Sequence, residues 1–236
     1  YKRQVLYKGY TVGDLWGYVT GGILQEGDFD GVGANGKPLY HGPYFKGGQA
    51  YPGYIWYQGL DEDAVITTGL NTVDDPGDRK VIGNNTPRYR YNITANFQYK
   101  GFDLDLMFQG VGKRDYWLSS TSSYWGNGAG SWEVYNNSWT PERTDAKFPM
   151  YGSGTGSYPQ TGYLLDASYI KLKQVILGYT FPRALINKIG LEKLRLNLAA
   201  YNLFTISDMP KYYDADYLSD AYPPKRTFSV GIQVGF

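Results

Sequence analysis

The chain of 236 residues has no cysteine and a single histidine, His41. The absence of cysteine excludes disulfide bonds, thiolate zinc sites, iron–sulfur clusters and a cysteine nucleophile. One histidine cannot build a multi-histidine metal site, and a Ser-His-Asp triad would depend on His41 alone. This residue lies in a Tyr-His-Gly-Pro turn, so we expect a surface side chain there rather than a catalytic base.

The chain also has little net charge and no long apolar run. Its 23 Lys+Arg against 22 Asp+Glu give a net charge of +1, which argues against nucleic-acid binding, because nucleic-acid-binding domains carry a basic surplus. The longest apolar runs have four residues, at 54–57 and 198–201, whereas a membrane-spanning helix needs about 20. Membrane-spanning strands are not excluded, because their polar and apolar residues alternate.

Aromatic residues are abundant instead, at 17% of the chain, with 25 tyrosines. Tyr and Trp side chains suit boundaries that are apolar at one end and wet at the other. Five segments alternate apolar and polar residues with the two-residue period of a β-strand. They are 88–99, 102–112, 168–181, 193–205 and 227–236.

Three local features refine these strands. The last strand carries a purely apolar face formed by Phe228, Val230, Ile232, Val234 and Phe236. The two-residue loop Lys100-Gly101 predicts a hairpin between the first two strands. In 168–181 the alternation changes phase, and a β-bulge near Lys173-Gln174 would reconcile the two halves.

Two features favour a membrane barrel over a soluble β-sandwich. Aromatic residues lie at the strand ends, as in the interfacial girdles of membrane barrels. The connections are also unequal, since Lys100-Gly101 and 182–192 are short whereas 113–167 and 207–226 are long. Short periplasmic turns and long extracellular loops produce this inequality. The segment 182–192 is expected to hold a helical turn, begun by its proline and ended by Gly190.

The predicted fold class is therefore all-β, with an extracellular loop region at 1–87 and C-terminal transmembrane strands within 88–236. Five strands leave two unpaired edges, which lipid does not tolerate, and bacterial single-chain barrels have an even strand number. We expect the chain, which starts at Tyr1 rather than Met, to be a piece of a larger barrel. The alternative is a small complete barrel with a sixth strand in 10–24.

The long outer loop offers the best recognition signal. Ligand pockets combine flat apolar faces with a few placed polar groups, as sugars and peptides require. The candidate substrate contacts in this loop are Trp117, Tyr124, Trp125, Trp132 and Tyr135. The alternative is that these side chains pack the loop's own core. Three acidic pairs could serve a glycosidase, but we expect solvated or pore-lining carboxylates and no enzyme activity: Asp61/Asp63, Asp103/Asp105 and Asp214/Asp216.

Several short phrases resemble the C-terminal part of SusC/RagA-family TonB-linked outer-membrane transporters of Bacteroidetes. They follow the family's order across nearly the whole chain, at 13–23 (GDLWGYVTGGI), 78–84 (DRKVIGN), 99–104 (YKGFDL), 139–142 (WTPE), 168–173 (SYIKLK), 177–182 (LGYTFP), 201–205 (YNLFT) and 222–228 (YPPKRTF). The apolar face that ends in Phe236 also resembles the C-terminal signal of the barrel-assembly machinery.

The resemblance implies a 22-stranded β-barrel in the outer membrane of a Gram-negative bacterium, closed by an N-terminal plug. Members import glycans or peptides, with a SusD-like surface lipoprotein as a lid and TonB as the energy source. The five strands would be the last five, and the plug, the TonB-contacting segment and the remainder of the barrel would lie outside this chain. The alternatives are a self-contained barrel of structural or adhesive role and a secreted carbohydrate-binding β-sandwich or hydrolase.

No cofactor is expected, and one departure from the family pattern concerns calcium. Members often carry an Asp-rich stretch with EF-hand-like spacing before the Asp-Arg-x-x-Ile-Gly phrase. The acidic residues here, Asp61 and Asp63 and then Asp74, Asp75 and Asp78, do not keep that spacing. A loop calcium site built from carboxylates is the lesser alternative to a solvated acidic turn.

Overall fold

The computed structural model describes residues 8–61, 63, 65–117, 132–210, 213–218 and 224–236. The chain divides into two compact units. Unit 1 comprises Tyr1–Thr86 and Asp115–Leu165, and unit 2 comprises Pro87–Arg114 and Asp166–Phe236. Within the described residues, no helix has the length and apolar character needed to cross a membrane.

The secondary structure consists mainly of strands. In chain order they are β1 (Asp14–Gly17), β2 (Val19–Ile23), β3 (Tyr44–Phe45), β4 (Ile55–Gln58), β5 (Val65–Ile66), β6 (Lys80–Asn84), β7 (Tyr89–Tyr99), β8 (Phe102–Gly112), β9 (Asp115–Trp117), β10 (Leu164–Asp166), β11 (Tyr169–Thr180), β12 (Lys193–Ser207) and β13 (Thr227–Gly235). The helices are α1 (Trp132–Asn136) and α2 (Arg183–Ile186), with 3-10 turns at Glu26–Asp28, Thr155–Ser157, Thr161–Tyr163 and Asn187–Ile189.

Unit 1 is assembled from two distant stretches of the chain through short ladders. β1 pairs with β6 and β2 with β4, both antiparallel, while β3 pairs with β5 in parallel and β9 neighbours β10. The stretch 10–24, the alternative site of a sixth barrel strand, forms β1 and β2 and pairs within this unit. Most of the N-terminal region and of the 113–167 loop therefore fold together rather than as separate loops.

Aromatic side chains form much of the core of unit 1. The rings of Tyr18 and Tyr57 are buried with centroids 5.1 Å apart, and Phe45 lies 5.3 and 5.5 Å from them. Burial raises the pKa of the Tyr57 hydroxyl, which donates to the Thr155 carbonyl at 2.6 Å and accepts from Nε2 of Gln160 at 3.1 Å. The buried Tyr57 hydroxyl is thus hydrogen-bonded, as most buried polar groups are.

Unit 2 contains one antiparallel sheet in the order β13-β12-β11-β8-β7. These are the five predicted strands, each with bounds within two residues of the prediction. The predicted bulge is confirmed, because the pairing of β11 with both neighbours shifts between Leu172 and Gln174. The hairpin turn is also confirmed, with Lys100 and Gly101 at φ 45° and 88°, the backbone that two-residue hairpins favour.

The sheet has one apolar and one polar face. Cross-strand partners on the apolar face include Leu104 with Leu177 and Leu198 with Val230. The exposed members of this face include Tyr89, Tyr91, Ile93, Phe97, Tyr99, Phe102, Leu177, Leu196, Leu198, Phe204, Phe228, Val230, Ile232 and Val234. An inner face of a β-sandwich would be covered by a second sheet, whereas these side chains stand open.

The polar face carries an ion pair that bridges three strands. Arg195 on β12 donates from both terminal nitrogens to Asp103 on β8, each at 2.6 Å. The pair spans β11 above Gly178, where an added Cβ would come within 2.5 Å of Asp103 Oδ2. Glycine is therefore required at 178 to let the two charged side chains meet across the intervening strand.

The short connection between β11 and β12 forms the predicted helical turn. Pro182 precedes α2 as its N-cap, the 3-10 turn Asn187–Ile189 follows, and Gly190 ends the turn at φ 75°. Ile186 is buried, and its carbonyl accepts a hydrogen bond from the Leu191 amide at 3.2 Å. The connection is therefore a compact cap at this end of the sheet.

Candidate functional site

Unit 1 presents a cluster of exposed aromatic rings, here called the aromatic platform, formed by Trp132, Tyr135 and Tyr151. Trp132 is 77% exposed and Tyr135 is 57% exposed. Their rings stack with centroids 5.8 Å apart and planes 24° apart, and Tyr151 meets Tyr135 edge-on at 6.0 Å. Large flat apolar faces are thus available to a ligand at the protein surface.

The platform is held by the helix beneath it. Residues three apart lie on one side of a helix, so α1 presents Trp132 and Tyr135 together while Val134 is buried. The Ser138 hydroxyl donates to the Val134 carbonyl at 2.6 Å. One residue further on, the buried ring of Trp139 donates from Nε1 to Oε1 of Gln25 at 2.9 Å. The exposed rings therefore sit on a segment that is fixed to the core.

The five predicted substrate contacts have different locations. Trp132 and Tyr135 are on the platform, whereas Trp117 is buried, with 7% of its surface exposed. Tyr124 and Trp125 lie outside the described residues. Tyr151 was not among the predicted contacts. The signal available in the sequence is the turn-forming run Tyr151-Gly152-Ser153-Gly154, whose glycines adopt φ 80° and 69° in the structure.

An open cleft of about 370 Å³ lies elsewhere in unit 1. Its lining includes side chains of both charges, Asp145 and Lys147, with Gln25 and Tyr163. The Tyr163 hydroxyl donates to the Lys147 carbonyl at 2.9 Å, and the Gln25 amide donates to the Ile23 carbonyl at 2.9 Å. The side chains of Tyr163 and Gln25 thus already bond to backbone atoms of the cleft's own walls.

In unit 2 a network of charged groups, here called the loop anchor, ties the loop residues Asp214 and Asp216 to β11. Lys171 Nζ donates to both carboxylate oxygens of Asp214, at 3.1 and 3.0 Å. Lys173 Nζ and the Tyr169 hydroxyl donate to Asp216, at 2.9 and 2.6 Å. Lys171 and Lys173 are two positions apart, as are Asp214 and Asp216, so each lysine can bind one of the two aspartates.

Two further contacts complete the loop anchor. The guanidinium of Arg114 donates to the carbonyls of Ala167 and Ala215. Burial alone would raise the pKa of the Asp216 carboxyl, but the hydrogen bonds from Tyr169 and Lys173 hold that pKa below its ordinary value. The carboxylate is therefore ionised at neutral pH and bound to its partners.

The other acidic pairs also have partners. Asp103 binds Arg195, and Asp105 accepts a hydrogen bond from the Asn96 amide. Asp63 accepts one from the Val65 amide at 2.8 Å. His41 Nε2 lies 3.2 Å from Asp30, with both side chains 75% exposed. In the described part of the chain no three His, Asp or Glu side chains gather as metal ligands would.

The acidic residues preceding Arg79 shape a loop. The buried Asp78 accepts hydrogen bonds from the amides of Leu60 and Thr67, at 2.9 and 2.7 Å. Asp75 accepts one from the Leu70 amide at 3.1 Å. Both carboxylates are engaged with backbone amides, which explains acidic residues at these positions.

Comparison with known proteins shows which proteins the chain is similar to. No protein-family model matches it. Three curated TonB-dependent receptors of Formosa agariphila are similar: receptor P3 is 29% identical, P26 is 26% identical and P39 is 24% identical. The alignments cover 100%, 100% and 98% of this chain but only 23%, 26% and 26% of the relatives.

Solved structures show the same fold. A chain of the RagAB peptide transporter matches with a TM-score of 0.64 at 18% identity, covering 94% of this chain and 22% of that one. The closed-closed state of the RagAB peptide importer matches with a TM-score of 0.61 at 18% identity, covering 100% of this chain and 25% of that one.

The predicted resemblance to SusC/RagA-type receptors is confirmed by these comparisons. The chain is similar along its whole length to part of TonB-dependent receptors. The predicted all-β fold, a partial barrel, is confirmed by the five-stranded sheet and by its match to the RagAB transporter. The chain spans about a quarter of the length of the relatives that it matches.

Proposed function

We propose that this chain, similar throughout to part of TonB-dependent receptors, forms wall strands and outer loops of an outer-membrane nutrient importer. Its five-stranded sheet would lie in the bilayer with the apolar face toward lipid and the polar face toward the lumen. Unit 1 would lie on the extracellular side and contact the substrate. The chain would bind and pass a substrate without chemical change.

The two faces of the sheet are the observation that carries this proposal. A barrel wall needs an outward apolar band and a polar interior, and the sheet has both. The exposed apolar side chains would be covered by hydrocarbon, and the Asp103–Arg195 pair would be in contact with lumen water. Strands of 9–15 residues have the length for a tilted passage, which needs about 9–11.

The aromatic platform supports a substrate of the glycan or peptide class. Both ligand types offer flat faces flanked by hydrogen-bonding groups, and stacked rings at a loop surface fit such faces. The related RagAB protein is named a peptide importer. For the whole importer we propose a SusD-like lipoprotein as partner and energy from TonB, which would act through parts of the protein outside this chain.

The test uses the full-length importer in its own outer membrane, in a strain that lacks the native copy. The variant Trp132→Ala/Tyr135→Ala removes both exposed faces of α1. We expect binding of the imported glycan or peptide to weaken about thirtyfold, because stacked aromatic contacts each contribute roughly 1 kcal/mol and the variant removes two of them. Growth on a panel of glycans and peptides as sole nutrient identifies the class.

A matched control is Tyr10→Ala, which removes an exposed ring of unit 1 that packs on Trp16, away from the platform. The control is expected to grow like the parent at the same outer-membrane level. If the platform variant grows on every nutrient as the parent does, the platform is not a substrate contact. Absence of the parent protein from the outer membrane would contradict the importer proposal itself.

A further inference from the structure

The short-turn end of the sheet in unit 2 carries an exposed surface that is both apolar and basic. We call it the basic turn surface, and its members are Lys100, Arg183, Leu185, Lys188 and Ile189. Leu185 is 57% exposed and Ile189 is 67% exposed, while Ile186 between them is buried. The helical turn therefore directs one aliphatic side chain inward and holds two outward.

The two connections that supply this surface are adjacent. The Thr180 amide at the end of β11 donates to the Gly101 carbonyl of the hairpin turn at 2.8 Å. The Phe181 amide donates to the Leu194 carbonyl at 3.0 Å. Lys100 on one connection and α2 on the other thus project from the same end of the sheet.

The surface continues an aromatic band on the apolar face. The rings of Phe102 and Tyr179 have centroids 4.4 Å apart, and those of Tyr179 and Phe181 have centroids 4.8 Å apart. Lys100 Nζ lies 5.2 Å from the ring centroid of Tyr99 in the same band. Aromatic side chains concentrate at the interface between hydrocarbon and headgroups, so the basic turn surface would begin at headgroup level.

Its charge is positive and locally unmatched. Among the described residues, Lys100, Arg183 and Lys188 form no ion pair, and all three side chains are exposed. Between 181 and 193 the acidic side chain is Glu192 alone. Three cations beside two exposed aliphatic side chains are complementary to a layer that is anionic at its surface and apolar below.

We propose that the basic turn surface binds the phosphate groups of anionic phospholipids in the leaflet at the short-turn end. Lys100, Arg183 and Lys188 contact the phosphates, and Leu185 and Ile189 enter the boundary between headgroups and acyl chains. Amphipathic helices with Lys and Arg on one face and aliphatic side chains on the other lie in the interface plane, and this helical turn carries the same two kinds of side chain. The proposal rests on the proposed membrane position of the sheet but does not depend on what the protein imports.

The test measures lipid retention by the purified full-length protein in detergent. The parent and Arg183→Gln/Lys188→Gln are titrated with phosphatidylglycerol and, separately, with phosphatidylcholine, and bound lipid is counted by native mass spectrometry. We expect the parent to prefer phosphatidylglycerol. The double variant should lose about 25-fold in apparent affinity for it, roughly fivefold for each cation removed.

The matched control is Arg88→Gln/Lys113→Gln, which removes one exposed Arg and one exposed Lys from the opposite end of the sheet. It is expected to keep the parent's preference for phosphatidylglycerol. Leu185→Ser/Ile189→Ser should weaken retention of both lipids, because it removes the apolar contact and leaves the charges. Inorganic phosphate at the same concentration should not displace the lipid.

Three outcomes overturn the proposal. The double variant could retain phosphatidylglycerol like the parent, or the control could lose as much as the double variant. Displacement of the lipid by inorganic phosphate would identify a free-phosphate site instead. Lipid counting does not involve the imported substrate, so a failure of this test leaves the importer proposal standing. Conversely, a failed import test with intact lipid retention would contradict the importer proposal and leave the lipid proposal standing.

Discussion

The ammonium of Lys171 lies 3.0 Å from a carboxylate oxygen of Asp214, although only 1% of Lys171 is exposed. The two residues are 43 positions apart, and this contact fixes the loop after β12 to the strand β11. A buried charge is tolerated when it is paired and hydrogen-bonded. The Lys171–Asp214 ion pair therefore stabilises the loop anchor.

Asp214→Asn should destabilise unit 2 by about 3–5 kcal/mol, because it leaves the Lys171 ammonium buried without its main counter-charge. The effect is measured as the midpoint of unfolding when the full-length protein in detergent is titrated with urea. Lys171→Met/Asp214→Asn removes both charges and should recover part of the loss. If the unfolding midpoint of Asp214→Asn equals that of the parent, solvation by water or the Asp216 carboxylate already compensates the charge of Lys171.

The loop anchor should open in acid. The Asp216 pKa is lower in the folded protein than its ordinary value, so its stabilising contribution is present above the unfolded pKa, about 3.9. It is lost as pH falls through the folded pKa. Protease cleavage within 207–226 should therefore rise below about pH 4 and stay low at pH 7.

The variant Asp216→Asn tests the origin of this pH dependence. It should already be cleaved faster at pH 7, with a smaller further increase in acid. Asp208→Asn, in the same loop, serves as the control and should behave like the parent. Equal pH profiles for Asp216→Asn and the parent would show that another group controls opening of the loop.

Adjacent residues of β7 should differ sharply in their tolerance of charge. Ile93 is on the apolar face and Asn92 on the polar face. We expect Ile93→Arg to reduce stability by roughly 2–4 kcal/mol, the range for a charge at a lipid-facing midplane, and Asn92→Arg to be tolerated. Outer-membrane levels of the two full-length variants report the difference.

Cysteine labelling separates this arrangement from a protein core. Because the chain has no native cysteine, single substitutions can be labelled wherever the rest of the protein is also cysteine-free. Ile93→Cys should react with a lipid-soluble reagent and Asn92→Cys with a water-soluble one. Shielding of position 93 from both reagents would contradict the lipid-facing assignment.

The C-terminal strand should guide assembly. Its apolar residues Phe228, Val230, Ile232, Val234 and Phe236 are all exposed in unit 2. Replacing Phe236 with Asp should lower the amount of full-length protein in the outer membrane, because it removes the aromatic end of the predicted assembly signal. Gln233→Asp, on the other face of β13, is the control and should insert normally; equal loss in both would attribute the effect to charge alone.

The sheet could be predicted from the sequence because one physical constraint repeats along every strand. Consecutive side chains point to opposite faces, so an apolar and a polar environment impose a two-residue period. The bulge near Lys173 was predictable for the same reason, since it interrupts that period. The hairpin followed from Lys100-Gly101, whose backbone few other residue pairs adopt.

The loop anchor and unit 1 could not be predicted in this way. The sequence shows Lys171 and Asp214 as ordinary charged residues, and no periodicity connects a loop with a strand 43 positions away. Unit 1 likewise depends on contacts such as that between Trp139 and Gln25, 114 positions apart. The aromatic content of the sequence singled out Trp132 and Tyr135, whereas the stacking of their rings on each other follows from the fold.

The bulge in β11 adds a residue to one face of the sheet without disturbing the other face. An extra residue in a strand normally inverts every side chain beyond it. Here Lys173 is the extra residue, and its Nζ reaches the same Asp216 oxygen as that of Lys171, at 2.9 and 3.5 Å. Leu172 before it and Val175 after it both stay on the apolar face. The insertion thus adds one cation to the polar face and leaves the apolar face unaltered, so β11 can gain or lose a charge on one face without any change of side chains on the other.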